Sequence, residues 1–197
     1  MNYISDLLMT AFYTVFFQNL VLSSGLGMSE AIRVSTKPGT FGKFAVMISG
    51  FSVVTSTVCS LIDTVPAVEG ATYAVRAAIY GGVLAGVYLA VAVILKLVLK
   101  ADSKLLGTLG IAALNTLVLA VPYINNSAAY SFAGSIGSGL GAGIAFVFAA
   151  ALISQGSRIL AENEEIPEAF KGTPAMFLYV AMLSLAFAGF TDTNLFA

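Results

Sequence analysis

Gln18-Asn19-Leu20-Val21-Leu22 and Asn115-Thr116-Leu117-Val118-Leu119 are two similar pieces of sequence, each placed near the middle of a long apolar run. A carboxamide at that depth is costly in hydrocarbon unless it finds a partner. Around the two pieces the chain is 58% hydrophobic and 10% charged, and its mean hydropathy is +0.94. A soluble domain of this length carries a far more charged surface. The two asparagines are therefore read as polar points inside a bilayer.

A hydrocarbon core of about 30 Å takes about 20 apolar residues per helix. Apolar runs fall at about 4–28, 41–62, 74–99, 105–123, 130–153 and 174–191. They predict an all-α membrane protein of six transmembrane helices in a single domain, 1–197, with no room for a separate soluble domain. The first run carries Asp6 and is preceded by no Lys or Arg, so it reads as a permanent helix and not as a cleaved signal. Connections one, three and five carry eight of the nine basic residues, and only Arg76 lies on the opposite side. Positive residues stay cytoplasmic. The chain is thus expected in the plasma (inner) membrane of a prokaryote, multi-pass, with both termini outside. Tyr3, Tyr73, Tyr123 and Tyr130 fall at the outer helix ends and predict one interfacial belt there.

Asn19 and Asn115 lie in the first spans of two three-helix halves, 1–100 and 101–197. Three is odd, so the second half enters from the opposite face, and a duplicated half becomes a 3+3 inverted repeat. Gly25, Gly27, Gly107 and Gly110 flank the two stretches and predict broken or half helices in spans one and four. Gln18, Asn19, Gly27 and Asn115 are the candidate pathway residues at the midplane. The bland alternative is that the amides only hold helices together by hydrogen bonding.

Small residues recur every four positions. Span three has Ala78, Gly82, Gly86 and Ala90. Span five has Ala133, Gly137, Gly141 and, one face over, Ser135, Gly139, Gly143. Such rows let backbones approach closely. They predict helix packing within one protomer, a homodimer face or a seam against another subunit. Lys43, Lys96 and Asp63 lie near helix ends, where snorkelling accounts for them. No carboxylate lies at depth to serve as a proton relay or cation site. There is no His and no Trp, and Cys59 is the single cysteine, read as a small buried hydrophobe. With no nucleophile–base pair, independent enzymatic activity is not expected, and neutral overall charge gives no reason to expect nucleic acid.

Several stretches resemble the Rnf/Nqr membrane-subunit family along the whole chain. Phe17-Gln18-Asn19-Leu20-Val21-Leu22 with Leu26-Gly27-Met28 resembles its first-helix motif. Leu105-Leu106-Gly107 leading to Asn115 resembles its fourth, one residue shorter. Tyr130-Ser131-Phe132-Ala133 with Gly139, Gly141 and Gly143 resembles its fifth. Ile166-Pro167, Phe170-Lys171-Gly172 and Met182 through Phe190 resemble its last loop and helix. The resemblance implies a six-helix subunit of an ion-pumping electron-transfer complex, of the A type in Rnf and the E type in Nqr, paired with a homologous subunit of opposite topology. It also implies a [2Fe–2S] cluster shared between the two subunits, held by cysteines after the first-helix Leu-Gly and after the fourth-helix Asn. Here those positions are Ser29 and Thr116. Thiolate is the usual cluster ligand. The loss predicts a divergent member without its own iron–sulfur ligands, at most a non-catalytic subunit. The fifth connection departs as well, being longer and acidic. The competing expectation is a non-redox transporter or channel for a small solute or cation on the same scaffold.

Overall fold

The computed structural model describes residues 2–98 and 100–191. The expected end of the third span at residue 99 and the C-terminal residues expected outside lie beyond the described residues. The described chain is helical: α1 (Tyr3–Phe16), α2 (Leu20–Ser24), α3 (Met28–Ser35), α4 (Phe41–Ile62), α5 (Pro66–Glu69), α6 (Tyr73–Leu97), α7 (Ser103–Ala113), α8 (Thr116–Ser127), α9 (Phe132–Glu162) and α10 (Thr173–Thr191). Four stretches are long and apolar enough to cross a membrane: α4, α6, the pair α7–α8 and α9. The apolar helix α1, with 14 residues, rises about 21 Å at 1.5 Å per residue, short of the hydrocarbon thickness. The expected first span, 4–28, is thus a broken one: it holds α1 and α2, and α3 begins at its last residue.

Start signals explain several ends. The Asp102 carboxylate accepts from Leu105 N at 3.0 Å and caps α7. Ser131 Oγ accepts from Gly134 N at 3.0 Å and caps α9. α9 extends to Glu162, about two turns beyond the expected 153, because Pro167 is the first helix breaker after that point. Its 31 residues rise about 46 Å, so its polar last turns project past a bilayer core.

α9 is the central post. α1 and α4 pack along it, α10 covers α2 and α9, and α6 is peripheral. Between lipid-soluble helices there is no hydrophobic driving force, so close van der Waals fit must supply the attraction. The two small-residue rows of α9 supply it separately. A Cβ at Gly137 would run into Leu7 O, and one at Gly141 would lie 2.7 Å from Ala11 O, so that row carries α1. A Cβ at Gly139 would lie 2.8 Å from Val53 Cα, and one at Gly143 2.8 Å from Ser49 Cβ, so the other row carries α4. Both rows therefore serve packing inside one protomer. The α6 row differs: Ala78, Gly82, Gly86 and Ala90 are exposed, and nothing approaches Gly82 or Gly86.

The helix ends sort into two groups. Arg33, Lys37 and Lys43 share a cavity with Lys104, and Arg158 shares one with Phe41, so the first, third and fifth connections gather at one end of the bundle. At the other end Asp6 meets Ser131, and Asp63 meets Asn126. The basic connections thus lie together at one end, opposite Arg76.

Candidate functional site: the junction of two broken helices

α1 ends where the amides of Phe17 and Gln18 both point to Tyr13 O, at 2.9 and 2.8 Å. Asn19 then stitches the break. Its Nδ2 donates back to Val15 O at 2.9 Å, and its Oδ1 accepts from Leu22 N at 3.1 Å, capping α2. The side chain is fully buried, and both of its polar ends are used. After α2 the chain turns twice through the left-handed region, at Gly25 (φ +69°) and Gly27 (φ +75°), which favours glycine. Leu26 N returns to Leu20 O at 3.0 Å, tying off the carbonyl end of α2.

Span four breaks more simply. α7 stops at Leu114, whose amide still reaches Gly110 O, and Asn115 (φ −75°, ψ 139°) starts α8 with its Oδ1 on Leu117 N at 2.9 Å. The expected breakers Gly107 and Gly110 lie inside α7 and break nothing; Gly110 instead makes room for the Tyr88 ring and hydroxyl. An asparagine side chain that accepts its own i+2 amide is sufficient to restart the helix.

The two breaks meet. Gly27 N donates to Thr116 Oγ1 at 2.9 Å, joining the first residues of α3 to those of α8. A Cβ at Gly27 would fall 2.8 Å from Asn115 Oδ1 and 3.2 Å from Leu117 Cβ. Asn115 is 3% exposed, and its Nδ2 has no partner. Two helix N termini, which carry partial positive charge, and one spare N–H₂ therefore converge. Ser29, on the first turn of α3, is exposed and donates to Glu30 at 2.8 Å. Thr116 is likewise exposed beside the junction. Asn19 sits across α2 from this contact. Gln18 is half-buried and accepts from Tyr130 OH at 3.0 Å. Tyr130 is half-buried, with its hydroxyl committed to Gln18.

A second polar group, at the other end from the basic connections, was not legible in the sequence. Tyr80, 1% exposed, donates to the Asp63 carboxylate, 2.7 Å from each oxygen. Asn126 Nδ2 donates to Asp63 at 3.1 Å, while its Oδ1 accepts from Arg76. Asp63 is held, not snorkelling. Beside it lies a cavity of about 600 Å³ bounded by Ser56, Asp63, Arg76, Asn125 and Ser135. Asn125 is 4% exposed, and its Oδ1 has no partner. The available signal was Asn125-Asn126 following Pro122, opposite the lone Arg76. Cys59 is a buried free thiol on α4.

The family model described as "Rnf-Nqr subunit, membrane protein" matches residues 7–193. The chain belongs to this family. It is 27% identical over 186 residues to the A-type subunit of the ion-translocating oxidoreductase complex of Rhodobacter capsulatus, covering 94% of this chain and 96% of that one. It is 33% identical over 79 residues to the A-type subunit of the proton-translocating ferredoxin:NAD(+) oxidoreductase complex of Clostridium ljungdahlii, covering 40% of each chain. The A-type resemblance seen in the motifs is matched by these relatives, and membership makes this a multi-pass membrane protein with the broken helices inside its apolar bundle.

Proposed function

We propose that this chain is the A-type membrane subunit of an ion-translocating electron-transport complex. Its insertion is a 3+3 inverted repeat with both termini outside, in the plasma membrane of a prokaryote. It pairs with a homologous six-helix subunit of opposite topology, and the exposed small-residue row of α6 is the seam available for another subunit. The carrying observation is the contact of Gly27 with Thr116 and Asn115, where two interrupted helices meet. Broken helices placed at a repeat interface are how such scaffolds build sites at half depth.

The chain holds no iron–sulfur ligands of its own in this reading. Ser29 and Thr116 offer hydroxyls where thiolates are required. The Thr116 oxygen already accepts from a backbone amide, and the Ser29 hydroxyl is committed to Glu30. The residues present do not fit the cluster, so any redox chemistry belongs to cofactors on other subunits. The junction presents N–H donors and helix N termini, which suit an electron-rich neighbour and not a bare cation. That weighs against cation coordination by Asn19 and Asn115. The transporter reading draws instead on the other cavity, where Asn125 Oδ1 is buried and free to accept.

The test is to purify the chain with its homologous partner and measure iron, acid-labile sulfide and visible absorbance. The wild-type pair is expected to hold no cluster that depends on Ser29 or Thr116. The double variant Ser29→Cys, Thr116→Cys is expected to gain iron when the partner supplies two cysteines of its own. A wild-type cluster lost on Ser29→Ala or Thr116→Val overturns the ligand assignment. A chain that purifies without any membrane partner and carries a solute gradient overturns the assignment to a complex.

A further inference from the structure

We propose that the cavity between α3, α4 and the first turns of α7 is a binding site for the headgroup of an acidic glycerophospholipid. This rests on the chain lying in a membrane and not on its role in electron transfer. The cavity is about 620 Å³ and is lined by Arg33, Lys37, Lys43 and Lys104. Four cations thus face a single carboxylate, Asp102, and its Oδ1 is engaged in capping α7 at Leu105 N. Among the described residues none of the four cations stands in an ion pair. Like charges gathered at one mouth repel one another, and an anion bound among them relieves that repulsion.

The lining changes character with depth. Along the helices away from the cations the lining is apolar: Met47 is one turn beyond Lys43 on α4 and Ile111 two turns beyond Lys104 on α7, with buried Phe44 and exposed Leu105 beside them. Arg33 is held over the Phe44 ring, 5.8 Å from its centroid, which places its charge at the boundary between the two zones. A polar, cationic mouth over an apolar floor matches a phosphodiester on a glycerol with acyl chains beneath. Basic pockets between helices on the cytoplasmic side recognise phosphate-bearing lipids in this way. The cations come from two distant parts of the sequence, residues 33–43 and residue 104, so their convergence is a product of the fold and not of one basic segment.

The full-length protein in neutral detergent is titrated with dioleoyl phosphatidylglycerol, dioleoyl phosphatidylcholine or inorganic phosphate at fixed ionic strength, following the thermal unfolding midpoint. Lipid retained from the native membrane is identified by native mass spectrometry. Phosphatidylglycerol is expected to raise the midpoint saturably, and acidic lipid is expected to co-purify. The double variant Lys37→Gln, Lys104→Gln is expected to bind it roughly thirty-fold more weakly, the factor for two basic side chains near a charged lipid surface. The control Lys96→Gln, Lys171→Gln removes equal charge from the same end, outside the cavity, and is expected to bind as wild type. Equal weakening in the control pair, equal stabilisation by phosphatidylcholine, or full stabilisation by inorganic phosphate alone overturns the proposal. So does wild-type protein that retains no acidic lipid, a result that stands even if the variants do not fold. Loss of lipid binding with partner association intact separates this proposal from the assignment to an electron-transport complex.

Discussion

The breaks in spans one and four use the same residue and reach different ends. Asn19 bonds at both ends of its side chain: the nitrogen donates back to Val15 O, and the oxygen caps α2. Asn115 only caps α8 and keeps a buried N–H₂ without a partner. Span one also needs two left-handed glycines to turn the chain, whereas span four restarts after a single residue. A helix break in lipid must satisfy the backbone groups it frees. Span one does this mostly within itself, with the Gly27 amide passed on to Thr116 Oγ1 of span four. Span four leaves a donor over, at the place where the two breaks touch.

The strongest way to break this comparison is Gly27→Ala. The new methyl would force an alanine into φ +75° and would fall 2.8 Å from the Asn115 oxygen that caps α8. Left-handed strain costs about 1–2 kcal/mol, and displacing the cap about 1 kcal/mol more. A loss of about 2–3 kcal/mol is expected in equilibrium unfolding from mixed micelles. A loss no larger than that of Gly25→Ala, which meets no neighbour, would mean that the two breaks are not in contact.

A pair of conservative substitutions sharpens it further. Serine in place of asparagine keeps an oxygen for the cap and drops the amide nitrogen. At position 19 this removes the bond to Val15 O, and a loss of about 1–2 kcal/mol is expected for a buried carbonyl left bare. At position 115 no bond is lost, and the change in stability is expected within about 0.5 kcal/mol. If the spare N–H₂ serves the complex, Asn115→Ser lowers ion-coupled electron transfer while the fold persists. Equal destabilisation at the two positions would sink the distinction.

Much of the frame was readable because it follows from composition and run length alone. α4 coincides with the expected span 41–62, and α10 begins within one residue of the expected 174. The two asparagines marked the stretches where the breaks fall, but as sequence the flanking glycines are the expected breakers, and the amides are expected on a pathway or in helix–helix hydrogen bonds; in the structure both asparagines are helix caps. The glycines misled in span four: in a helix packed against neighbours, Gly107 and Gly110 are tolerated, and the cap residue decides the break. The bond of Tyr130 to Gln18 could not be read, since the two residues are far apart in sequence and only the packing of the helices brings them together. The Asp63–Tyr80–Asn126–Arg76 network was hidden for a related reason. Its members come from α4, α6 and α8, and only their packing brings a helix-end carboxylate under a buried phenol.

The smallest expected effects come from comparing Gly25 with Gly107, two exposed-side glycines with open space around the missing Cβ. Neither substitution meets a neighbour, so sterics between helices drop out and only local backbone preference remains. Gly25 sits at φ +69°, and Gly25→Ala is expected to cost about 1 kcal/mol through strain alone. Gly107 lies inside α7 with ordinary helical geometry, where alanine is the better helix former by about 0.5–1 kcal/mol in water. In a bilayer the unfolded reference also keeps its helices, which shrinks that gain, so Gly107→Ala is expected to be neutral to slightly stabilising. Opposite signs for the two variants would place the break in backbone conformation at 25–27 and nowhere in α7. A destabilising Gly107→Ala would instead mean that α7 bends at that glycine when the protein works, restoring a symmetry between the two halves that their resting helices do not have.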